Sequence, residues 1–338
     1  YTDEKEGIYK ASQNPVIIFD DFTTANKWVD FDFKAKSSAM KMITSKDESK
    51  ALLKYIYYWL NTLPSGLVNG DHKRQWISNY SNKQIPIPPI KIQKEIVRIL
   101  DKFTELTAEL TAELTARKKQ YIYYREQFFE FADEEIQREP LGVIGEFQRG
   151  KRFVKDDMLS EGVPCIHYGE MYTYYGTWAN KSKSFLSEEL VERKNLRVAE
   201  NGDVVIVAAG ETIEDIGLGT AWLGDEGVVI HDACFSFRSP LNPKYVAYFT
   251  RTKQFHDQIK KHISSGKISA INAKGLEKVL IPVPSPEEQE RIVTILDKFD
   301  ILTTSISEGL PKEIELRKKQ YEYYRDLLLT FPKNNIES

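Results

Sequence analysis

The sequence predicts mixed α/β domains joined by two long antiparallel coiled-coil helices, with a pseudo-twofold internal duplication. The duplication is the first observation: residues 85–103 recur as 281–299, and residues 117–125 recur as 317–325. The second is an apolar seam of heptad type in each copy, and the third is a set of short buried-strand runs outside the seams. A period of about 200 residues is too long for a solenoid and indicates a repeated unit of domain plus helix.

Length and composition restrict the class of protein. At about 150 residues per domain, 338 residues suggest two domains, and 41% hydrophobic residues are enough for packed cores. The sequence has no apolar run of about 18 residues and no secretory signal pattern, and two cysteines exclude a disulfide scaffold, so we expect a cytoplasmic protein. The formal net charge of −3 excludes a uniformly basic surface but permits a local basic face.

Each copy of the repeat predicts a conserved segment built around a long helix, at residues 85–135 and 285–334. Prolines at 86, 88 and 89 cannot lie inside a helix and mark the approach to the first. About 40 residues at 1.5 Å each would make this helix roughly 60 Å long. Pro311 interrupts the second helix, so we expect a kink or restart there. The seam residues are Ile96, Phe103, Leu106, Leu110 and Leu114 in the first copy and Ile292, Phe299, Leu302, Ile306 and Leu310 in the second.

Matching seams in one chain favour two helices that pack on each other, antiparallel if the duplication is a pseudo-twofold. The alternative is that each helix buries its stripe on its own domain. Two Thr-Ala-Glu-Leu units, at 107–110 and 111–114, lie in the first helix. One such unit adds about 6 Å and rotates the helix end by only about 40°, which suits a spacer; an ordinary amphipathic helix is the alternative.

Two regions outside the helices predict α/β domains. Residues 136–284 form the second domain, with strand runs at 204–207, 227–230 and 234–237 and a helix from Asn242 to about His262. Residues 1–84 form the C-terminal part of a first domain.

The first domain has counterparts in the second. The run at 16–18 matches 228–230, and the apolar stretch at 55–60 matches the helix at Tyr245. Nothing in the first copy matches residues 140 to about 220, so we expect the first domain to be incomplete in this chain.

Catalytic and metal-binding motifs are missing from the sequence. There is no Walker phosphate loop, no methyltransferase Asn/Asp-Pro-Pro-aromatic tetrapeptide and no HExxH, and the five histidines lack metal-ligand spacing, so we predict no metal site. His231 and Asp232 beside Cys234 resemble a nucleophile arrangement, but an inert core thiol is the favoured interpretation. Acidic residues at 211, 214 and 215 are interpreted as a solvated loop.

Basic and aromatic loops are the positive signal. Lysine and arginine bind phosphates, while arginine, glutamine and serine also read base edges. Ordinary solvated loops with core tyrosines are the alternative. The candidate DNA-binding residues are Arg149, Lys151, Arg152, Lys155, Tyr172, Tyr174, Lys181, Lys183, Lys261, Ser264, Ser265 and Lys267, with Lys73, Arg74 and Gln75 at the equivalent place in the first copy.

The duplicated motifs resemble a known family. Ile-Pro-x-Pro, then Gln-x-x-x-Ile-Val-x-Ile-Leu-Asp-Lys-Phe, then Arg-Lys-Lys-Gln-Tyr-x-Tyr-Tyr-Arg, occurring twice, is similar to the specificity (S) subunit of Type I restriction–modification enzymes. The Thr-Ala-Glu-Leu units look like that family's spacer repeats. Residues 145–151 and 162–166 are similar to the opening of its target-recognition domain. The resemblance covers essentially the whole chain.

The resemblance implies a non-catalytic subunit. Two target-recognition domains would each read half of a bipartite site in double-stranded DNA, with the paired helices setting the gap. Two modification (methyltransferase) subunits would dock on the helices and methylate adenine N6, and restriction subunits would add ATP-dependent cleavage. The chain itself would bind no cofactor, because S-adenosylmethionine, ATP and Mg²⁺ belong to the partner subunits. A coiled-coil adaptor without DNA contact and a self-contained DNA-modifying enzyme fragment are the alternatives.

Overall fold

The chain forms two compact units, unit 1 (Tyr1–Leu114 with Ile306–Ser338) and unit 2 (Thr115–Ser305). The computed structural model describes residues 7–35, 37–64, 74–131, 136–264, 266 and 268–331. None of the helices in these ranges is long and apolar enough to cross a membrane. The predicted four-part division along the chain stays a prediction.

Ten α-helices and sixteen strands are found in the described ranges. The helices are α1 (Leu53–Leu60), α2 (Ile90–Gln127), α3 (Leu141–Ile144), α4 (Tyr168–Thr173), α5 (Glu188–Lys194), α6 (Pro243–Phe249), α7 (Lys253–Ile259), α8 (Ala273–Glu277), α9 (Pro286–Thr304) and α10 (Gly309–Leu329). The strands are β1 (Val16–Asp20), β2 (Asn26–Val29), β3 (Met40–Ile43), β4 (Arg138–Pro140), β5 (Glu146–Arg149), β6 (Val163–Ile166), β7 (Trp178–Ala179), β8 (Ser184–Leu186), β9 (Val198–Ala199), β10 (Val204–Val207), β11 (Ala209–Gly210), β12 (Gly219–Trp222), β13 (Val228–Ile230), β14 (Cys234–Arg238), β15 (Ser269–Ala270) and β16 (Leu280–Pro282). A π-helical turn (Trp76–Tyr80) and two 3₁₀ turns (Lys155–Asp157 and Lys260–His262) complete the set.

Unit 1 has one small antiparallel sheet packed on helices. The strand order is β2-β1-β3, so β1 lies in the centre and pairs antiparallel with both neighbours. Ile17 and Phe19 alternate on one face of β1 and pack with Tyr55 and Tyr58 of α1. Leu100 of α2 belongs to the same cluster, so the helix completes the core of this unit.

Strand pairing corrects one sequence match. In unit 1, β1 lies between two antiparallel neighbours. In unit 2 the strand with this place is β10, which lies between β12 and β14 and pairs antiparallel with both. β1 therefore corresponds to β10, and the match of residues 16–18 to 228–230 was wrong, because β13 pairs parallel with β6 in another sheet. β1, β10 and β13 all contain short runs of valine and isoleucine, so only their pairing partners distinguish them. The match of the α1 stretch to α6 is confirmed.

Unit 2 is built on two larger sheets, with two further two-stranded sheets, β11-β15 and β16-β4. One has the order β5-β14-β10-β12-β7 and the other β8-β6-β13-β9. All four residues of β10 are buried, as the apolar run predicted. Val204 and Ile206 face the cluster that holds α6 and α9, whereas Val205 and Val207 face the cluster formed with β6 and β13. The larger sheet thus has helices on one face and the second sheet on the other.

The predicted first helix is confirmed. α2 begins at Ile90, directly after the prolines, and has 38 residues, which corresponds to about 57 Å. It runs without a break through both Thr-Ala-Glu-Leu units, where Thr107 and Thr111 hydroxyls donate to carbonyls four residues earlier, at 2.8 and 2.7 Å. α2 contributes residues to both units.

The helices pair within each unit. In unit 1 the Phe103 and Tyr324 rings stack with centroids 5.4 Å apart. In unit 2 Tyr121 stacks on Phe299 at 6.2 Å, and Arg291 lies 5.5 Å from the Phe128 ring centre, so α2 and α9 run antiparallel. The alternative, in which each helix buries its apolar stripe on its own domain, also holds in part, because seam residues pack into the α/β cores as well.

The second seam is interrupted where the sequence predicted. α9 ends at Thr304 and α10 begins at Gly309, with Pro311 in its first turn. Ile306 lies between the two helices and is 83% exposed, so its assignment to the seam was wrong. The other assigned seam residues are buried or half-buried: Ile96, Phe103, Leu106, Leu110, Leu114, Ile292, Phe299, Leu302 and Leu310.

A set of polar contacts ties α1 to α2 in unit 1. The Asp101 carboxylate accepts a hydrogen bond from the Tyr58 hydroxyl and pairs with Lys54 Nζ at 3.1 Å. Gln93 Oε1 accepts from the backbone N–H that precedes α1, at 2.9 Å. The Tyr55 hydroxyl donates to the carbonyl of residue 86, at 2.8 Å.

The same contacts tie α6 to α9 in unit 2. The Asp297 carboxylate accepts from the Tyr248 hydroxyl at 2.7 Å and pairs with Lys244 Nζ at 2.7 Å. Gln289 Oε1 accepts from the N–H that precedes α6, at 2.9 Å, and the Tyr245 hydroxyl donates to the carbonyl of residue 282, at 3.0 Å. The duplication therefore extends from the sequence to individual hydrogen bonds.

Candidate nucleic-acid interface

Four strands of unit 2 end at one cleft. β5 ends at Arg149, β6 is followed by His167, β10 leads to Ala209 and β13 is followed by His231, and all four of these residues line a cleft of about 760 Å³. The strands come from both sheets, so the cleft lies where the ends of the two sheets meet. Loops at strand ends supported by two sheets are a common place for a binding site.

Close backbone packing shapes one wall of the cleft. A Cβ at Gly150 would lie 2.2 Å from the carbonyl oxygen of His231 and 2.4 Å from that of Ile230. Only glycine allows the chain after β5 to pass so near the turn after β13. Arg149 Nε donates to the carbonyl of Asp232 at 2.9 Å, which fixes the same two segments together.

Three predicted cations come together at this cleft. Arg149, Arg152 and Lys155 line it. Ile268, which is largely exposed, also lines the cleft. Two carboxylates, Glu211 and Asp232, line the cleft as well, so the cations exceed the acids by one charge. The arrangement offers cationic donors and carboxylate acceptors in one concave surface.

The ring floor of the cleft consists of Phe153, His167, Tyr168 and His231. The His167 ring lies 4.6 Å from both the Tyr168 and the His231 ring, and Phe153 lies 5.1 Å from His231, centre to centre. Burial, with a smaller effect of His231, lowers the pKa of His167 to about 4. Burial also lowers the pKa of His231, against the opposing Asp232 carboxylate. Both imidazoles are therefore neutral at pH 7.

A helix cap fixes the His167 tautomer. Its Nδ1 accepts a hydrogen bond from the Gly169 N–H at 3.2 Å, and the backbone N–H of His167 donates to Glu170 Oε2 at 3.1 Å, which forms the capping box of α4. Because Nδ1 is an acceptor, the proton of the neutral ring lies on Nε2. No residue in the described ranges accepts a hydrogen bond from that Nε2.

Several other candidate residues of unit 2 do not line the cleft. Lys151 Nζ donates to the carbonyl of residue 194 at 3.4 Å, and Lys183 lies 5.2 Å from the ring centre of the exposed Tyr174. The Tyr172 hydroxyl is buried behind Gly210 without a hydrogen-bond partner in the described ranges, and burial raises its pKa. Lys181, Lys261 and Ser264 are exposed, whereas Ser265 and Lys267 lie outside the described residues.

The candidates in unit 1 are only partly available for DNA contact. Lys73 lies outside the described residues, and the exposed Arg74 guanidinium lies 6.0 Å from the Phe22 ring centre. Gln75 is buried, its backbone N–H donates to the carbonyl of Asp21 at 2.8 Å, and its side chain accepts from Asn79 at 3.3 Å. We therefore correct the interpretation of Gln75: it holds a turn together and does not face solvent as a base reader.

Sequence reasoning missed the ring floor. The signal was present, because His167 and His231 each follow directly on a short buried-strand run. The inert-thiol interpretation of Cys234 agrees with the structure, since the side chain is fully buried and burial raises the pKa of its thiol to about 12. Glu211 and Glu214 are exposed, and no group of acidic, histidine or cysteine side chains in the described ranges is arranged to hold a metal ion.

Duplicated α/β regions, each tied to a helix of an antiparallel pair, define the class of DNA-specificity subunits. The family model "Type I restriction modification DNA specificity domain" matches residues 10–117 and again 134–316. The chain belongs to this family, whose members are the non-catalytic DNA-recognition components of restriction–modification systems.

Curated relatives agree with this assignment. The chain is 50% identical to the EcoR124I/EcoR124II specificity subunit of Escherichia coli, over 98% of this chain and 84% of the relative. It is 31% identical to a specificity subunit of Mycoplasma pneumoniae described as putative, over 83% of each chain.

Solved structures share the fold. A chain from a study of complex assembly and conformational transition of the type I R-M system superposes with a TM-score of 0.63 at 17% identity, covering 95% of this chain and 82% of that one. The HsdS subunit from Thermoanaerobacter tengcongensis superposes with a TM-score of 0.53 at 17% identity, covering 97% of this chain and 83% of that one. The predicted fold class is therefore confirmed.

Proposed function

We propose that this chain reads a bipartite site in double-stranded DNA, one half-site through each unit, and docks the subunits that carry out the chemistry. The observation that carries the proposal is the repeated contact set: Asp101 with Tyr58 and Lys54, and Asp297 with Tyr248 and Lys244. Two regions held on their helices by the same contacts are suited to the same task on two half-sites. α2, which contributes to both units, sets the gap between the half-sites.

DNA contact by unit 2 is assigned to the cationic side of the cleft and the loops near it. Arg149, Arg152 and Lys155 bind backbone phosphates, with Lys151, Lys181, Lys183 and Lys261 as further phosphate contacts and Tyr174, Ser264, Ser265 and Lys267 as further candidates for DNA contact. Phosphate contacts make affinity depend on salt, with a slope of about 0.9 per neutralised phosphate. In unit 1, Lys73 and Arg74 have the corresponding role.

The test replaces Arg149, Lys151 and Arg152 together by alanine in the assembled complex. We expect weaker binding to the target duplex and a salt slope reduced by about two to three. Lys253→Ala, Lys278→Ala and Lys298→Ala form the charge-matched control, because these exposed cations lie in unit 2 outside the cleft. Unchanged affinity and an unchanged salt slope would favour the coiled-coil adaptor without DNA contact.

Docking of two modification subunits is proposed at the repeated tyrosines. Tyr123 in unit 2 and Tyr323 in unit 1 hold the same place in the motif and are 59% and 64% exposed. Each makes an edge contact with the next tyrosine, at 5.5 and 5.4 Å. Exposed tyrosines on regular helices are typical anchors of protein interfaces.

Stoichiometry tests this docking. If each tyrosine anchors one modification subunit, Tyr123→Ala and Tyr323→Ala should each reduce the complex from two such subunits per chain towards one. The double variant should reduce it towards none. Val143→Ala, also at an exposed apolar residue, is the control. A complex that keeps two modification subunits in every variant would contradict the docking assignment, and native mass spectrometry measures the ratio.

The chemistry is assigned to the partners. We propose that S-adenosylmethionine binds the modification subunits, which methylate adenine N6, and that ATP and Mg²⁺ bind the restriction subunits. Purified chain alone should then transfer no labelled methyl groups to DNA. Transfer by the chain alone would support the self-contained enzyme.

A further inference from the structure

The cleft of unit 2 has the chemistry of a nucleotide site. We propose that it binds a single nucleotide, with the flat base against the ring floor and the phosphate at Arg149, Arg152 and Lys155. This inference rests on the proposed function for the phosphate-binding role of these three cations, and it goes beyond that function by adding a bound base. The nucleotide has two sources: one residue turned out of a DNA strand, or a free nucleotide.

The shape of the site favours a nucleotide over the edge of an intact duplex. A groove is itself concave, so a base edge inside it is read by a projecting loop or helix. A concave protein site instead suits a group that projects into it, as a base turned out of its stack does. The volume of about 760 Å³ lies within the range of small-ligand pockets.

One ring of the floor, Tyr168, supplies stacking surface, whereas Phe153, His167 and His231 are buried behind it. Tyr168 lies 4.6 Å from His167 and 5.2 Å from His231, with inclined rings, and is itself only half-buried. Every base has a flat face, so the accessible face of Tyr168 can take a base through stacking. A site built for phosphate alone would gain nothing from these rings.

The polar groups match a base and its phosphate together. His167 presents a neutral Nε2–H that no described residue accepts, whereas the Glu211 and Asp232 carboxylates are acceptors. A base edge carries both acceptors and donors, so it can use both kinds of group. The carboxylates would repel a lone anion, but the three cations exceed them by one charge and attract the phosphate of a nucleotide.

Two probes distinguish the sources. In the first, the full chain is titrated calorimetrically with dAMP, dGMP, dCMP and TMP. In the second, the complex with modification subunits is bound to its target duplex, identified from mapped methylated adenines, with 5-iodouracil at one thymine at a time. Photocrosslinked residues are then found by mass spectrometry.

Three variants accompany both probes. Tyr168→Ala removes stacking surface and should weaken binding about tenfold, since base stacking is commonly worth that much. Arg152→Ala removes an exposed rim cation without disturbing the core, so it remains informative if Tyr168→Ala does not fold. Lys253→Ala, an exposed cation of α7 that pairs with Asp257 outside the cleft, is the matched control and should change nothing.

The outcomes separate this inference from the proposed function. A crosslink from one thymine to Tyr168 supports a nucleotide turned out of DNA. Saturable binding of free nucleotides that Tyr168→Ala or Arg152→Ala weakens, with no such crosslink, supports a free nucleotide. If neither occurs while the complex still binds its target, the nucleotide site is refuted and the proposed function stands. If the complex binds no DNA, the proposed function fails and the titration alone decides the nucleotide site.

Discussion

The two copies of the polar contact set differ in exposure, which leads to a quantitative prediction. The Lys244 and Asp297 side chains in unit 2 are 20% and 22% exposed, whereas Lys54 and Asp101 in unit 1 are 33% and 41% exposed. Water screens an ion pair more strongly as exposure rises. Removing the lysine charge should therefore cost more stability in unit 2 than in unit 1.

The magnitudes follow from distance and burial. An exposed ion pair contributes about 0.2–1 kcal/mol, and loss of one partner of a buried pair costs about 3–5 kcal/mol. The pair at 2.7 Å with one-fifth exposure lies between these limits, so we expect Lys244→Met to cost about 1.5 kcal/mol. The more exposed pair at 3.1 Å should lose about 0.5 kcal/mol in Lys54→Met. Methionine keeps the apolar stem, so packing changes little.

Cation–π contacts act in the same direction. Lys244 Nζ lies 4.3 Å from the centre of the Trp178 ring, and Lys54 Nζ lies 4.9 Å from that of Trp28. The shorter contact is again in unit 2. The expected difference of about 1 kcal/mol corresponds to roughly a fivefold difference in the opening equilibrium of α6 relative to α1.

Native-state hydrogen exchange measures each unit separately. A single unfolding curve would not serve, because a chain of two units need not unfold in one step. Amide exchange is followed in peptides covering α6 and α1, in the wild type and in each lysine variant. Tyr248→Phe is the second probe: it removes the hydroxyl that donates to Asp297 at 2.7 Å and should cost about 1.5–3 kcal/mol. Equal protection losses in the two lysine variants, or a larger loss in unit 1, would refute the reasoning.

Three further predictions concern α2 and the cleft. A Thr-Ala-Glu-Leu unit inserted after Leu114 lengthens α2 by about 6 Å. Mapped methylation sites should then show a gap that is wider by about one to two base pairs, with both half-sites unchanged. Altered half-sites would contradict the spacer role. His167 stays neutral in the fold to about pH 4, whereas an unfolded histidine titrates near pH 6.5, so the unfolded state binds more protons between these values and stability falls with acidification. About 2 kcal/mol should be lost from pH 7 to pH 5, and His167→Phe should flatten this part of the pH profile in urea unfolding. Gly150→Ala should destabilise unit 2 by about 3 kcal/mol, because the added Cβ would meet two carbonyl oxygens. Faster hydrogen exchange in peptides around residue 231 would show this loss of stability. Wild-type protection in these peptides would show that the backbone adjusts.

Features with a periodic or repeated signal could be predicted from the sequence. The start of α2 after the prolines, the break before Pro311 and the buried strand β10 all follow from local chemistry that tertiary contacts reinforce. The exposure of Ile306 could not be predicted from seam spacing, because the seam is interrupted three residues before α10 begins. The strand match of residues 16–18 depended on pairing partners far along the chain, which composition does not report.

The candidate site was predictable only in part. Arg149, Arg152 and Lys155 were found because a cationic turn is visible in the sequence. The ring floor was missed because His167 and His231 are 64 residues apart and meet only through the parallel pairing of β6 with β13. Gln75 was misassigned for the opposite reason: a polar side chain beside basic residues suggests a surface loop, yet this one is buried.

The repeated contact set separates what is constant in the two units from what differs. Gln93 and Gln289, and Asp101 and Asp297, are the same residue types, and their partners on α1 and α6 also match, so each α/β region is attached to its helix in one way. Cleft residues belong to none of these contacts. A substitution at Arg152 therefore changes the binding surface without disturbing the attachment, whereas a substitution at Asp297 does the reverse. If this separation holds, variants in the cleft loops should change DNA preference and leave the hydrogen-exchange protection of α6 unchanged. Hydrogen exchange measured on a set of such variants would show whether DNA preference and the stability of the attachment are independent.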